Sequence, residues 1–192
     1  MINLSASLDT VLTTHELASR FSRPADFDAV NEAFGRLQMA NLRSPEAILQ
    51  RFADLLIDLC NSHSAGVSIL EGDKDKEVFR WHAIAGLYAP YRWGTMSRYA
   101  SPCGVVLNQE AVQLFKYPER YFPYSIPLNP PIFEALLTPF HLNGNVIGTA
   151  WLISHQESRR FDNEDAANAE FSLVNRSGLR SCDQNQMTSV RY

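Results

Sequence analysis

At 192 residues, 45% hydrophobic and 20% charged, the chain has the size and composition of one well-cored globular domain with ends, not of two large domains. A formal net charge of −4 with no long basic run argues against a nucleic-acid partner, since phosphate neutralisation needs clustered Lys and Arg. The three cysteines, Cys60, Cys103 and Cys182, are odd in number and share no CxxC spacing, which argues against a disulfide framework or a Cys-rich zinc site. No apolar run approaches the roughly 18 residues of a membrane span. The start, MINLSASLDTVLTTHEL, lacks the basic end and apolar core of a signal peptide, so a reducing cytoplasm is the expected setting.

Residues 1–25 have weak periodicity and end at Pro24, and read as an extension with at most one loose helix. From Asp26, Phe27, Val30, Phe34 and Leu37 recur at helical spacing. Ser44-Pro45 is a helix start, with serine as cap and proline in the first turn, where its missing N–H costs nothing. Ile48, Leu49, Phe52, Leu55, Leu56 and Leu59 then form a broad apolar stripe. AGVSILEG (65–72) and VFRWHAIAG (78–86) read as an antiparallel hairpin whose tip, Asp73 to Glu77, is a solvated charge run. AVQLF (111–115) is a weaker strand candidate. FEALLTPFHLNGNVIGTAWLIS carries a second hairpin around Asn143-Gly144, a pair suited to the positive φ of a tight turn. Asp162 caps a last helix through about Val174, with Asp165 in its first turn.

The middle behaves differently. Seven of the ten prolines fall between residues 90 and 131, and six of the seven tyrosines between Tyr88 and Tyr124. So much proline excludes a long helix or a central strand, and so many rings exclude a solvated linker. The stretch reads as a stiff excursion packed over one sheet face and broken by short helices, a size of excursion that is usually functional. The layout is α+β: an antiparallel sheet with helices on one face and the excursion on the other.

On the helix SPEAILQRFADLLIDLCNSHSAGVSIL, the SPCG segment and the closing LLTPFHLNGNVIGTAWLISH…FDNED, the chain resembles a GAF domain, the sensing module of many bacterial signalling proteins, and in particular GAF regions upstream of sensor kinases. The match covers residues 26–174. It implies a GAF-like (profilin-like) antiparallel sheet of five or six strands, terminal helices that pair in homodimers, and a small molecule bound under the excursion. After the last helix NRSGLRSCDQNQMTSVRY is polar and aperiodic, with no phosphoacceptor histidine. The expected domain is therefore stand-alone or truncated from a kinase, with 175–192 as a polar tail.

Cys103 is the residue that could make the chain an enzyme or a pigment protein. Behind Ser101 and Pro102 it lies in a first helical turn, where the macrodipole lowers a thiol pKa; the reading taken is a small buried residue in a tight turn, or part of a pocket wall. Bilin-attaching GAF domains carry histidine after the cysteine, where Gly104 stands here. The GAF-type free methionine sulfoxide reductases use several pocket cysteines, and this excursion has one. The same helix start could present the N–H groups of Cys103, Gly104 and Val105 to an anion or carbonyl, with Arg98 adding charge. Trp93, Tyr99 and Tyr121 could line a pocket, offering rings and hydroxyls. His82, alternating with Trp81 on a strand, is a further ligand-binding candidate, while His82 and His141 have no metal-ligand spacing.

The expectation is a non-catalytic, small-molecule-sensing domain with the site at Trp93, Arg98, Tyr99, Cys103, Gly104, Tyr121 and His82, no catalytic residue and no metal. A dimerisation module with a self-filled pocket is the alternative, and a thiol redox or cofactor protein using Cys103 a third reading. The sequence identifies neither the ligand nor a cofactor.

Overall fold

A computed structural model describes residues 7–39, 44–73, 76–142 and 144–174. The polar tail 175–192 lies outside them, as do Asn143 and the side chains of Phe27, Phe34 and Leu37. A turn of helix, α1 (Leu8–Val11), precedes α2 (Phe27–Met39) and α3 (Pro45–Cys60). The strands β1 (Ser64–Glu71) and β2 (Val78–Gly86) follow, then β3 (Thr95–Ser97), α4 (Pro102–Gln109), β4 (Gln113–Lys116), β5 (Glu134–Leu142), β6 (Asn145–Ser154) and α5 (Asn163–Val174).

The six strands form one sheet in the order β3-β2-β1-β6-β5-β4, with every neighbouring pair antiparallel. Both expected hairpins are present, and Gly144 has φ +81 at the tip of the second. The excursion does more than cover a face, because it supplies both edge strands, β3 and β4. Short edge strands are where proline-rich chain can join a sheet, since an edge leaves half of its N–H groups without a ladder partner.

The helix-bearing face is closed by α3. Leu49, Phe52, Ala53 and Leu56 pack on Ala65, Val67 and Ala83, the alternate residues of β1 and β2 that point their way. Phe52 meets Phe140 of β5 edge-on at 6.3 Å. Ser44 caps α3, its hydroxyl accepting the Ala47 N–H at 3.2 Å. The helix ends at Asn61, which has φ 42. Outside α3, Ala33 of α2 packs on Leu55. At the start of α5, Asp162 accepts from the Asp165 N–H at 3.0 Å and Asp165 from the Asp162 N–H at 2.9 Å. This reciprocal cap satisfies two donors that the first turn would otherwise leave free.

Residues 7–20, part of the expected extension, are built into the fold. Leu12 bridges Phe115, the Thr13 N–H donates to the Leu114 carbonyl at 2.7 Å, and Val11 and Leu17 are buried. The segment thereby covers the open edge of β4. Among the described residues no helix is long and apolar enough to cross a membrane.

Candidate functional site

The opposite face of the sheet carries a second apolar core, roofed by the excursion. Its floor is two indoles. Trp151 stands on β6 opposite Gly66 of β1, and a Cβ on Gly66 would sit 2.3 Å from the Trp151 ring and 2.5 Å from the Ala83 carbonyl oxygen. Only glycine leaves room for the indole to lie flat there. The Trp151 Nε1–H donates to the Ser68 hydroxyl at 2.9 Å. Trp81 of β2 lies against Gly94 in the same way, and the backbone of residues 93 and 94 bonds to it on both sides.

One wall is the start of α4. Ser101 caps it, its hydroxyl accepting the Gly104 N–H at 3.2 Å, with Pro102 in the first turn. Cys103 points into the core and its sulfur accepts from the Thr149 hydroxyl at 3.0 Å. Burial pushes the Cys103 thiol up to about 11, outweighing the hydrogen bonds from Thr149 and Ser68. The other wall and the roof are Tyr88, Tyr124, Leu128 and Ile132. The Tyr88 hydroxyl donates to the Pro130 carbonyl at 2.7 Å, and the His155 ring meets the Pro131 carbonyl at 2.9 Å. These two bonds moor the roof to the sheet.

Between floor and roof is a cavity of about 30 Å³, room for one or two water molecules and far below the several hundred Å³ of a typical small-molecule site. No charged side chain lines it.

Of the residues expected at the site, Cys103 lines this cavity, and Gly104 lies behind it in the buried first turn of α4. A Cβ on Gly104 would fall 2.1 Å from the Arg98 carbonyl oxygen, so that glycine serves a close backbone crossing. The anion cradle expected here is not assembled. The Gly104 and Val105 N–H groups go to Ser101, and the Arg98 guanidinium donates to the Gly104 carbonyl at 3.1 Å and to Asn108 at 2.7 Å.

The other four stand apart from the cavity. Trp93 is 47% exposed and stacked under Arg92, Tyr99 is 73% exposed, and Tyr121 is 41% exposed and edge-on to Phe122. His82 meets Glu71 Oε1 at 2.7 Å. Glu71 follows Ile69 by two residues and so shares its face, the helix-bearing one. The sequence reading placed none of Tyr88, Tyr124, Trp81 and Trp151 at the site. The available signal was pairing: each indole stands on a strand beside a glycine that makes space for it. Among the described residues no group of three or more His, Cys, Asp or Glu is placed to hold a metal ion.

No protein-family model matches the sequence, and no relative is found among curated proteins. Solved structures do match the fold. The GAF domain of an Acinetobacter phosphoenolpyruvate-protein phosphotransferase superposes with a TM-score of 0.62 at 12% identity, over 82% of this chain and 97% of that one. Free methionine-R-sulfoxide reductase from Neisseria meningitidis, solved in complex with its substrate, gives 0.63 at 17% identity, over 86% and 97%. The chromophore-binding domain of a Stigmatella aurantiaca bacteriophytochrome gives 0.61 at 14% identity; 82% of this chain spans 60% of that one. The fold is that of GAF domains.

Proposed function

We propose that the chain is a non-catalytic, small-molecule-sensing module of bacterial signal transduction, acting in the cytoplasm as a homodimer. The observation that carries the reading is the roofed apolar cavity between the sheet and residues 118–132, on the face away from the helices. A ligand larger than this space would have to move the roof to enter, which is a change a partner can read. The solved relatives include a chromophore-binding domain and a reductase complexed with its substrate, so the fold is compatible with a buried small molecule.

The absence of catalysis rests on Cys103. A nucleophilic thiol needs a depressed pKa or an adjacent base. Here burial raises the pKa, the hydrogen-bond partner is a threonine, and His82 is on the other face. For the dimer, α2 and α5 border a groove of about 410 Å³ with apolar Val30, Ala33 and Leu59 and charged Arg23, Asp26 and Glu32, which suits a helical partner surface.

One observation favours the second reading, a dimerisation module whose pocket is filled by its own rings: the cavity measures only about 30 Å³. Mass spectrometry of freshly purified protein, native and then denatured, separates the two. A sensing module loses a small molecule on denaturation, or gains about 2.7 kcal/mol of stability from a metabolite at a hundredfold excess over Kd. A bare dimer that no metabolite stabilises overturns the sensing reading in favour of the second.

A further inference from the structure

We infer that the cavity selects an uncharged, ring-shaped hydrophobe carrying one hydrogen-bond acceptor, which the Tyr124 hydroxyl takes up. The inference rests on reading the cavity as the ligand site. Charge comes first. The lining has no Lys, Arg, His, Asp or Glu, and Arg98, the nearest cation the sequence suggested, is tied to Gly104 and Asn108. A carboxylate or phosphate buried here would meet no counter-charge and would forfeit its hydration, a penalty of several kcal/mol that no contact on this surface offsets. Amino acids, keto acids and nucleotides are disfavoured on that ground.

Shape comes second. Trp81 and Trp151 form the floor on β2 and β6, the two strands that flank β1, and Tyr88 and Tyr124 stand as walls. Aromatic faces and edges in that arrangement favour a planar ring in offset or edge-on contact. The floor cannot yield, because β1, β2 and β6 are laddered along their length. The roof can, because Leu128 and Ile132 sit on chain held to the rest by few bonds.

The polar handle comes third. The Tyr88 hydroxyl is spent on Pro130, the Trp151 N–H on Ser68 and the Thr149 hydroxyl on Cys103. Tyr124 lines the cavity, half-buried, and its hydroxyl makes no hydrogen bond among the described residues. A phenol on the cavity wall with no protein partner is a donor open to an acceptor on a bound molecule.

The test uses three probes of one size, toluene, acetophenone and benzoate, read by tryptophan fluorescence and thermal shift on the full chain. Acetophenone is expected to bind most tightly and benzoate not at all. Tyr124→Phe should weaken acetophenone about tenfold and leave toluene unchanged. Ala135→Leu, which fills the cavity from its floor, should abolish both while circular dichroism stays native. Benzoate or a charged metabolite binding in place of acetophenone would overturn the ligand class and leave the sensing reading standing. Silence from all three probes and from charged metabolites alike would overturn both. Unchanged acetophenone binding in Tyr124→Phe and Ala135→Leu would place the site elsewhere and overturn the inference.

Discussion

The Thr149 hydroxyl donates to the Cys103 sulfur across 3.0 Å in the buried interior of the cavity wall, joining the floor of the sheet to the first turn of α4. A sulfur that accepts a hydrogen bond while burial raises its pKa to about 11 keeps its proton. At pH 8 roughly one thiol in a thousand is ionised. We therefore expect native protein to resist iodoacetamide at Cys103, with modification appearing only on unfolding, as peptide mapping would reveal. Labelling at the rate of a free thiol would restore the redox reading.

The same burial sets an alkaline limit on stability. Cys103, Tyr88 and Tyr124 all have raised pKa values, burial being the first cause in each. A raised folded pKa means the unfolded chain releases its proton first, so the stabilisation is complete below the ordinary thiol value of 9.0 and drains away as pH climbs through 11. For Cys103 alone the gap amounts to about 3 kcal/mol at the far side. Melting temperature should be level from pH 7 to 9 and fall beyond it, less steeply in Cys103→Ala. A level profile to pH 11 would mean these groups ionise freely in the fold.

Mild acid should loosen the roof. The Pro131 carbonyl can only accept, so His155 carries its proton on Nδ1 and its Nε2 accepts from the Ser64 hydroxyl at 3.0 Å. His63 Nδ1 accepts the His155 backbone N–H at 3.1 Å, which requires that nitrogen bare. Burial lowers both pKa values; Arg159 lowers that of His63 further, and His63 that of His155. A histidine with a lowered folded pKa stabilises above its unfolded value near 6.5 and less as pH falls below it. Melting temperature should begin to drop below pH 6.5, with a shallower drop in His155→Gln. Constancy down to pH 5 would show that neither ring is held neutral.

Gly66 is the test of the indole floor. An alanine methyl would meet the Trp151 ring at 2.3 Å and the Ala83 carbonyl at 2.5 Å, one on each side, so neither neighbour can retreat cheaply. Overpacking at this level costs about 3 kcal/mol. Gly66→Ala should shift the denaturation midpoint by that amount, and blunt the fluorescence response to acetophenone as Trp151 tilts. A midpoint within 0.5 kcal/mol of wild type, an order-of-magnitude bound for an innocuous substitution, would mean the floor is plastic.

The residues legible in sequence were those obeying a period. Ile48 through Leu59 read as a helix, and the Asn143-Gly144 hairpin and the Asp162 cap read from local chemistry. The cavity did not read that way. Its aromatics were sought in the excursion, where rings are dense, yet Trp93 and Tyr99 face solvent. Trp93 adopts φ 72, and Tyr99 lies just beyond β3, a three-residue strand exposed on both flanks. A short edge strand and its flanks have no period from which to read an inward side. The true lining comes from alternate positions of long strands, and from ring–glycine pairs separated by 13 residues in Trp81 and Gly94 and by far more in Gly66 and Trp151. The contact of Arg20 with β5 was equally silent, because that partner lies more than a hundred residues away.

That partner is Glu134, and the pair carries the last prediction. Glu134 is fully buried at the start of β5, and the Arg20 guanidinium donates to both of its oxygens, at 2.8 and 3.0 Å. Oε2 also accepts the Phe161 N–H at 3.0 Å, and Arg20 donates onward to the Phe161 carbonyl at 2.7 Å. Three distant segments thus converge on one carboxylate: the N-terminal segment, β5 and the approach to α5. Removing the cation would leave a buried charge with one of its three hydrogen bonds, a loss of about 3–5 kcal/mol, whereas an exposed pair would cost under about 1 kcal/mol. Arg20→Ala should therefore destabilise at the high figure, and deletion of residues 1–20 at least as much. The double variant Arg20→Ala, Glu134→Gln should recover part of the loss, because the stranded charge is then gone. Denaturant unfolding measures all three. A loss under 1 kcal/mol in Arg20→Ala would mean the N-terminal segment rests on the fold without holding it together.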